Sequence, residues 1–392
     1  MSFLKLEQIC SAIVDCEHKT APIDETGDFF AVGTPAMRGN QINYSEARRI
    51  SESTFQAWTK RLQPRKGDLL FAREAPVGPV VQIPDSENVA PGQRTVLLRI
   101  SSEIADSQYM FYALSSPVMQ RRILSLAAGS TVPHLNVSDI RNLQFELPDL
   151  LTQRAIAEGL GALDDKIAAN SMKASTAEQL AGVLFDKVSV DLNKIPVSQV
   201  LTPILGGTPN RKNPEFWGGQ VHWASAKDVT SAPHSVVADT EEKITRMATE
   251  QTKAKPLPIG GVIVTARGTV GAVARLALPT SFNQSCYGFS PSELPPGLLY
   301  FSILRAAQRA KSLSHGSVFD TITMKTFDHL FIPDFGESAE KMEHQIAPLL
   351  ETVDSSIKEN KTLVSMRDAL LPQLMSGKLR VRDAEAVVED VL

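Results

Sequence analysis

No apolar run in this chain approaches the roughly 20 residues needed to cross a bilayer. The opening MSFLKLEQICSAIVDCEHK carries charges where a secretion signal needs its apolar segment, so a cytoplasmic location is expected. Cysteine is scarce, and Cys10, Cys16 and Cys286 supply no disulfide framework. Cys10, Cys16 and His18 match no zinc spacing and lack a fourth ligand, so the expectation is reduced, buried thiols and no metal site. The histidines are scattered without ligand spacing. Nucleotide signatures are missing too: there is no strand-linked Gly-x-Gly-x-x-Gly and no Gly-x-x-x-x-Gly-Lys-[Ser/Thr]. No Gly-x-Ser-x-Gly elbow appears. The Gly206-Gly207-Thr208 loop has neither the lysine nor the helix start of a phosphate cradle, and reads as a turn stiffened by Pro209.

What is present is an ordinary soluble composition, 43% apolar and 21% charged, over 392 residues, enough for two or three domains with substantial cores. The net charge of −4 speaks weakly against nucleic acid, but distribution outweighs the sum. Residues 38–73 hold eight basic groups (Arg38, Arg48, Arg49, Lys60, Arg61, Arg65, Lys66, Arg73) against Glu46, Glu52 and Asp68. Residues 243–275 hold six (Lys243, Arg246, Lys253, Lys255, Arg267, Arg275) against Glu250 alone. A basic run is usually a solvated face; a matched pair of them suggests more.

The chain repeats itself. QRAIAEGLGALDDKIAAN (153–170) returns as HQIAPLLETVDSSIKEN (344–360) at an offset of 190, pairing Ile156/Ile346, Ala157/Ala347, Leu160/Leu350, Asp164/Asp354, Ile167/Ile357 and Asn170/Asn360. KGDLLFAREAPVGPV (66–80) resembles IGGVIVTARGTVGAV (259–273) through Gly67/Gly261, Arg73/Arg267 and Gly78/Gly271. ISESTFQ (50–56) faces ITRMATE (244–250), Gln93 faces Gln284, and Gly129-Ser130 faces Gly316-Ser317. The features run in the same order in both halves, which makes this a tandem duplication. In each half, runs such as LLFA, VVQI, TVLLRI and VIVTA read as strands. YMFYALSSPVMQRRILSLAA, broken near Pro117, and LLYFSILRAAQRAKSLS read as helices.

Each half then ends in one long helix. Ile156, Leu160, Leu163, Ile167 and Asn170 are spaced 4, 3, 4, 3, as are Ile346, Leu350, Val353, Ile357 and Asn360: the a/d seam of a heptad. An amphipathic helix folded onto its own domain is the plain alternative. The narrow seam, and an asparagine at an a/d position in both copies, favour the two helices packing on one another, since buried Asn fixes register at a cost in stability. Equivalent helices pairing across a pseudo-two-fold must run antiparallel. At 1.5 Å per residue, helices of about 35 residues span on the order of 50 Å. The expected fold is therefore α+β: two mixed α/β domains separated by an antiparallel coiled coil of two long helices. Boundaries are placed at 1–151, 152–190, 191–336 and 337–382, with a tail at 383–392. Two unlike basic domains on one spacer suit an asymmetric, bipartite DNA target.

GGTPNRKNPEFWGGQVHWASAKDV (206–229) closely resembles the opening of a target-recognition domain in the specificity (S) subunit of Type I restriction-modification enzymes. DCEHKTAP (15–22), the Gly-Asp-apolar-Arg-Gly pattern (67–78) and LLPQLMSGKLRV (370–381) look like the same family, in its order, over nearly the whole chain. DCEHKTAP departs from the usual Gly-Gly-Thr-Pro. The resemblance implies a non-catalytic subunit that chooses the DNA sequence and scaffolds two modification (M) subunits and the restriction (R) subunits. S-adenosylmethionine, ATP and Mg would then belong to those partners, and no cofactor to this chain. A protein-binding scaffold without sequence-specific recognition is the alternative; a nuclease or transferase in its own right is a third reading, disfavoured by the missing motifs.

The candidate DNA-facing residues are Lys19, Thr20, Arg38, Arg73, Gln93 and Arg94 in the first half, and Thr208, Arg211, Lys227, Arg267, Gln284 and Ser285 in the second. Arg73 and Arg267 follow apolar strands just before a Gly-containing turn, where they could reach a groove or instead tie down the hairpin. Gln93, Gln284 and Ser285 could bond base edges or stabilise turns. Phe216, Trp217 and Trp223 are expected in the core rather than as stacking platforms.

Overall fold

The computed structural model describes residues 3–85, 88–127, 133–313 and 321–384. The Gly129-Ser130/Gly316-Ser317 match and most of the 383–392 tail lie outside them. The chain divides into two compact units, Met1–Lys166 with Leu363–Leu392, and Ile167–Thr362.

In chain order the main elements of the first head are β1 (Cys10–Asp15), β2 (Phe29–Val32), β3 (Arg48–Ile50), β4 (Leu69–Arg73), β5 (Val77–Gln82), β6 (Val89–Pro91), β7 (Thr95–Ile100), α1 (Ser107–Ser115) and α2 (Pro117–Leu126), followed by the long α3 (Leu150–Ser189). The second head has β8 (Ile204–Leu205), β9 (Trp217–Ala224), β10 (Val236–Val237), β11 (Glu242–Ile244), β12 (Val262–Thr265), β13 (Val273–Leu276), β14 (Thr280–Phe282), β15 (Cys286–Phe289) and α4 (Pro296–Leu313), followed by α5 (Ala339–Met375).

The two heads share one topology. Each has an antiparallel main sheet, ordered β1-β7-β4-β5 in the first and β8-β15-β12-β13-β10 in the second, where β10 adds a parallel edge to β13. Each also has a three-stranded side sheet, β3-β2-β6 and β11-β9-β14, in which the middle strand pairs antiparallel to one neighbour and parallel to the other. The strands predicted at LLFA, TVLLRI and VIVTA form β4, β7 and β12, buried on both faces as continuous apolar runs require when helices and loops cover them. Helices α1 and α2 break at Ser116, whose extended backbone precedes Pro117 and whose hydroxyl accepts from Met119 N.

The duplication is exact at the residue level in the segment ISESTFQ/ITRMATE. Ile50 and Ile244 end equivalent strands and are fully buried, while Ser51 and Thr245 each N-cap the following short helix. Two matched pairs, Arg73/Arg267 and Gly67/Gly261, are corrected. Arg73 N donates to Arg94 O and its carbonyl accepts from Leu135 N; in the second head Ala266, not Arg267, makes the corresponding bonds with Ser285 O and Ile322 N. Likewise Gly67 N to Ile83 O corresponds to Gly260 N to Leu276 O. The shared Ala-Arg letters are thus one residue out of structural register, which turns a side chain to the opposite face of a strand.

The helices carry the remaining repeat. In the first unit, α3 is tied to α1 by Gln153, which accepts from Asp106 N at 2.9 Å. In the second unit Glu343, 190 positions later, accepts from Gly297 N (2.9 Å) and Leu298 N (3.0 Å) at the start of α4. Ile346 packs so closely there that a Cβ on Gly297 would lie 2.7 Å from it, so the glycine is needed. Seam residues Ile156, Leu160, Leu163, Asn170, Ile346, Leu350 and Val353 are buried, and Ile167, Ile357 and Asn360 half-buried. Within the second unit the two helix segments run antiparallel. Asn360 Nδ2 donates to Ile167 O (3.2 Å) and Ser171 Oγ (3.1 Å), Val353 and Ile357 cluster with Ala174 and Ala177, and Ile346 and Leu350 with Ala181 and Phe185. That last cluster also contains Leu298 and Phe301 of α4, so the first turns of the seam pack on their own head as well as on the other helix. In the first unit Asp164 accepts from Arg367 of α5 (2.7 Å) and from Tyr112 OH (2.6 Å). Its counterpart Asp354 accepts instead from Arg275 of β13 (2.7 Å), which is buried and also donates to Leu350 O.

Candidate nucleic-acid interface

Most of the basic groups singled out in the sequence lie on the surface, and the exceptions are informative. In residues 38–73 seven of the eight are exposed, Arg73 being the exception; in residues 243–275 five of the six are, Arg275 being the exception. Arg275 is consumed by Asp354 inside its unit and is removed from any DNA-facing set. Several exposed cations hold surface partners: Arg61 with Glu17, Lys66 with Asp85, Arg246 with Glu250 and Lys227 with Glu241. Such solvent-screened pairs contribute little to stability and exchange readily for a phosphate.

In the first head, the loop after β1 meets the β6–β7 turn. Thr20 Oγ1 donates to Gln93 Oε1 (3.3 Å), and Arg94, held in a left-handed conformation, pairs with Glu74 (3.1 Å). Lys19 is exposed beside them, and Arg38 is exposed on the short strand Met37–Arg38. Arg73 is different: its side chain is 14% exposed, 3.4 Å from Asp15, and it donates to Leu135 O, with His18 also in reach. That is the hairpin-tying arrangement.

The second head brings its entry loop to the β14–β15 turn by backbone bonds, Gly206 N to Cys286 O and Gly207 N to Phe282 O. A Cβ on Gly206 would lie 2.1 Å from Asn283 O, so only glycine fits. Thr208 is half-buried there, Gln284 exposed, and Ser285 half-buried with its N–H donating to Asn283 Oδ1. Arg267 is exposed between β12 and the positive-φ Gly268. Arg211 stacks 4.0 Å over the Trp217 ring and 5.0 Å from that of Trp223, and forms a two-pronged pair with Glu242, which raises its already high pKa. Trp223 is buried and donates to Gly207 O, whereas Trp217 and Phe216 are only half-buried.

Burial pushes the Cys10 and Cys286 thiols up to about 12 and raises Cys16, so all three stay protonated at neutral pH. The sequence picked out Arg48 only as one of a basic run and gave no sign that it lies opposite Ala31 in the side sheet. That neighbourhood depends on strand pairing, which leaves no local signal.

The geometry describes a class: paired α+β heads of one topology and different surface chemistry, each followed by a long helix. The family model for the Type I restriction modification DNA specificity domain matches the chain twice, over residues 3–179 and 190–364. The chain belongs to that family. It is 20% identical over 434 residues to the specificity subunit of Type I restriction enzyme HindI from Haemophilus influenzae, covering 89% of this chain and 94% of that one. It is 27% identical over 181 residues to the MjaIX specificity subunit from Methanocaldococcus jannaschii, covering 44% and 41%. The crystal structure of the Type-I restriction-modification system S subunit from M. genitalium has the same fold, with a TM-score of 0.62 at 15% identity over 95% of both chains.

Proposed function

We propose that this chain is the DNA specificity subunit of a Type I restriction-modification complex, and that each head reads one half of an asymmetric, bipartite duplex target. The observation that carries this is the double family match combined with divergence at equivalent tip positions. Arg94, exposed in the first head, corresponds to Ser285 in the second, since each carbonyl accepts the equivalent backbone N–H, that of Arg73 and that of Ala266. Heads that fold alike but present different donors and acceptors select different bases.

The exposed cations Lys19, Arg38, Lys227 and Arg267 supply affinity through phosphates; Thr20, Gln93, Arg94, Thr208, Gln284 and Ser285 supply base-edge groups. Arg211 acts while held by Glu242 and its tryptophans. Two M subunits and R subunits are the partners, and S-adenosylmethionine, ATP and Mg serve in them. Among the described residues no helix is long and apolar enough to cross a membrane; the cytoplasm, where the DNA is, is the working compartment. Methylome sequencing of a host carrying this chain with its M partner tests the reading: one bipartite motif is expected, and exchanging residues 15–148 for a relative's should change one half of it. Methylation without sequence preference would favour the protein-scaffold reading instead.

A further inference from the structure

The side sheets of the two heads can be superposed residue by residue from their pairing alone. In the first, Ala31 lies opposite Arg48 on one side and Ala90 on the other; in the second, Trp223 lies opposite Glu242 and Ser281. Ala31 and Trp223 therefore hold the same place, as do Arg48 and Glu242. They also face the same way, because Ala31 clusters with Ile50 and Trp223 with the equivalent Ile244.

What occupies that place differs. In the second head it is filled by the Trp223 indole, with Arg211 above it and Glu242 closing the salt bridge. In the first head the indole is replaced by a methyl group, and a cavity of about 140 Å³ opens, lined by Ala31, Thr34, Arg48, Gln93, Arg94 and Thr20 among others. Backbone forms part of its wall, since a Cβ on Gly92 would lie 2.3 Å from Gly33 N. A cavity on the order of 150 Å³ accommodates one benzene ring. Here the rim is polar: Arg48 and Arg94 offer donors, Glu46 an acceptor, and Gln93, its Oε1 engaged by Thr20, presents its NH₂.

We infer that the first head holds a slot for a single pyrimidine ring of the target strand, taken out of the base stack, at the place the second head fills with its own tryptophan. A planar ring on the small residues Ala31 and Ala21 with carbonyl oxygens toward the arginines satisfies both the volume and the donors. Taking a base out of the stack loses its stacking and pairing, which such contacts offset. The inference rests on the DNA-specificity reading.

The test uses the chain assembled with its M subunits and the motif found by methylome sequencing. Each pyrimidine of the first half-site is replaced in turn by a fluorescent analogue that brightens on leaving the stack. One position is expected to brighten on binding. Ala31→Trp, which supplies the second head's plug, should abolish the brightening and weaken binding about tenfold. Should that variant fail to fold, Arg48→Met is expected to weaken binding about as much with an unchanged melting temperature. Specific binding with no position brightening would overturn the slot and leave the specificity reading standing; absence of any sequence preference would overturn both. Saturable binding of free dCMP or dTMP, lost in Ala31→Trp, without brightening on DNA would assign the slot to a free nucleotide and overturn its place in target reading.

Discussion

Arg73 and Arg267 look interchangeable as text, yet alanine at each should produce opposite phenotypes. Arg73 is nearly buried, lies 3.4 Å from Asp15 and donates to Leu135 O, so truncation strips a carbonyl and a half-buried carboxylate of a charged partner. These contacts are at the long end of the useful range, which puts the loss at about 1–2 kcal/mol. For a unit of this size each kcal/mol moves the melting temperature by about 2–4 °C, so Arg73→Ala should lower the first transition by roughly 2–8 °C. Arg267 is exposed at a turn, and its removal should change stability by less than about 0.5 kcal/mol. Its effect should appear in DNA binding, where losing one phosphate contact reduces the slope of log K against log salt by about 0.9. Differential scanning fluorimetry and anisotropy titrations across salt, on the same two variants, read both quantities. A flatter salt slope with unmoved stability for Arg73→Ala, or the reverse for Arg267→Ala, would refute the assignment.

Asp354→Ala leaves the buried Arg275 without its counter-charge and should destabilise the second unit by about 3 kcal/mol, whereas replacing the pair together by Met and Leu should cost much less; urea melts of the single and double variants check this, and equal losses would count against it. Alkaline pH should weaken the fold. Burial holds Cys10, Cys286 and Tyr109 near 12, from ordinary values of 9.0 and 10.0, and raises Tyr112 and Tyr300 further. The folded chain therefore keeps protons that the unfolded chain releases, so stability is full below about pH 9 and declines as pH rises through these folded values. A urea midpoint constant up to about pH 11 would show that these groups are not buried as described.

The duplication, the α+β composition of each half and the long helices were determined by sequence alone, because all three are local or periodic. A heptad seam is written in spacing, strands such as LLFA and VIVTA in continuous apolar runs, and the N-caps Ser51 and Thr245 in one residue each. Tertiary structure alone decided that Arg73 corresponds to Ala266, that Arg275 belongs to Asp354, and that an alanine and a tryptophan occupy one place in two heads. Those facts depend on which strand lies beside which, and a one-residue slip between segments far apart in the chain turns a side chain from interior to solvent while leaving the letters almost unchanged.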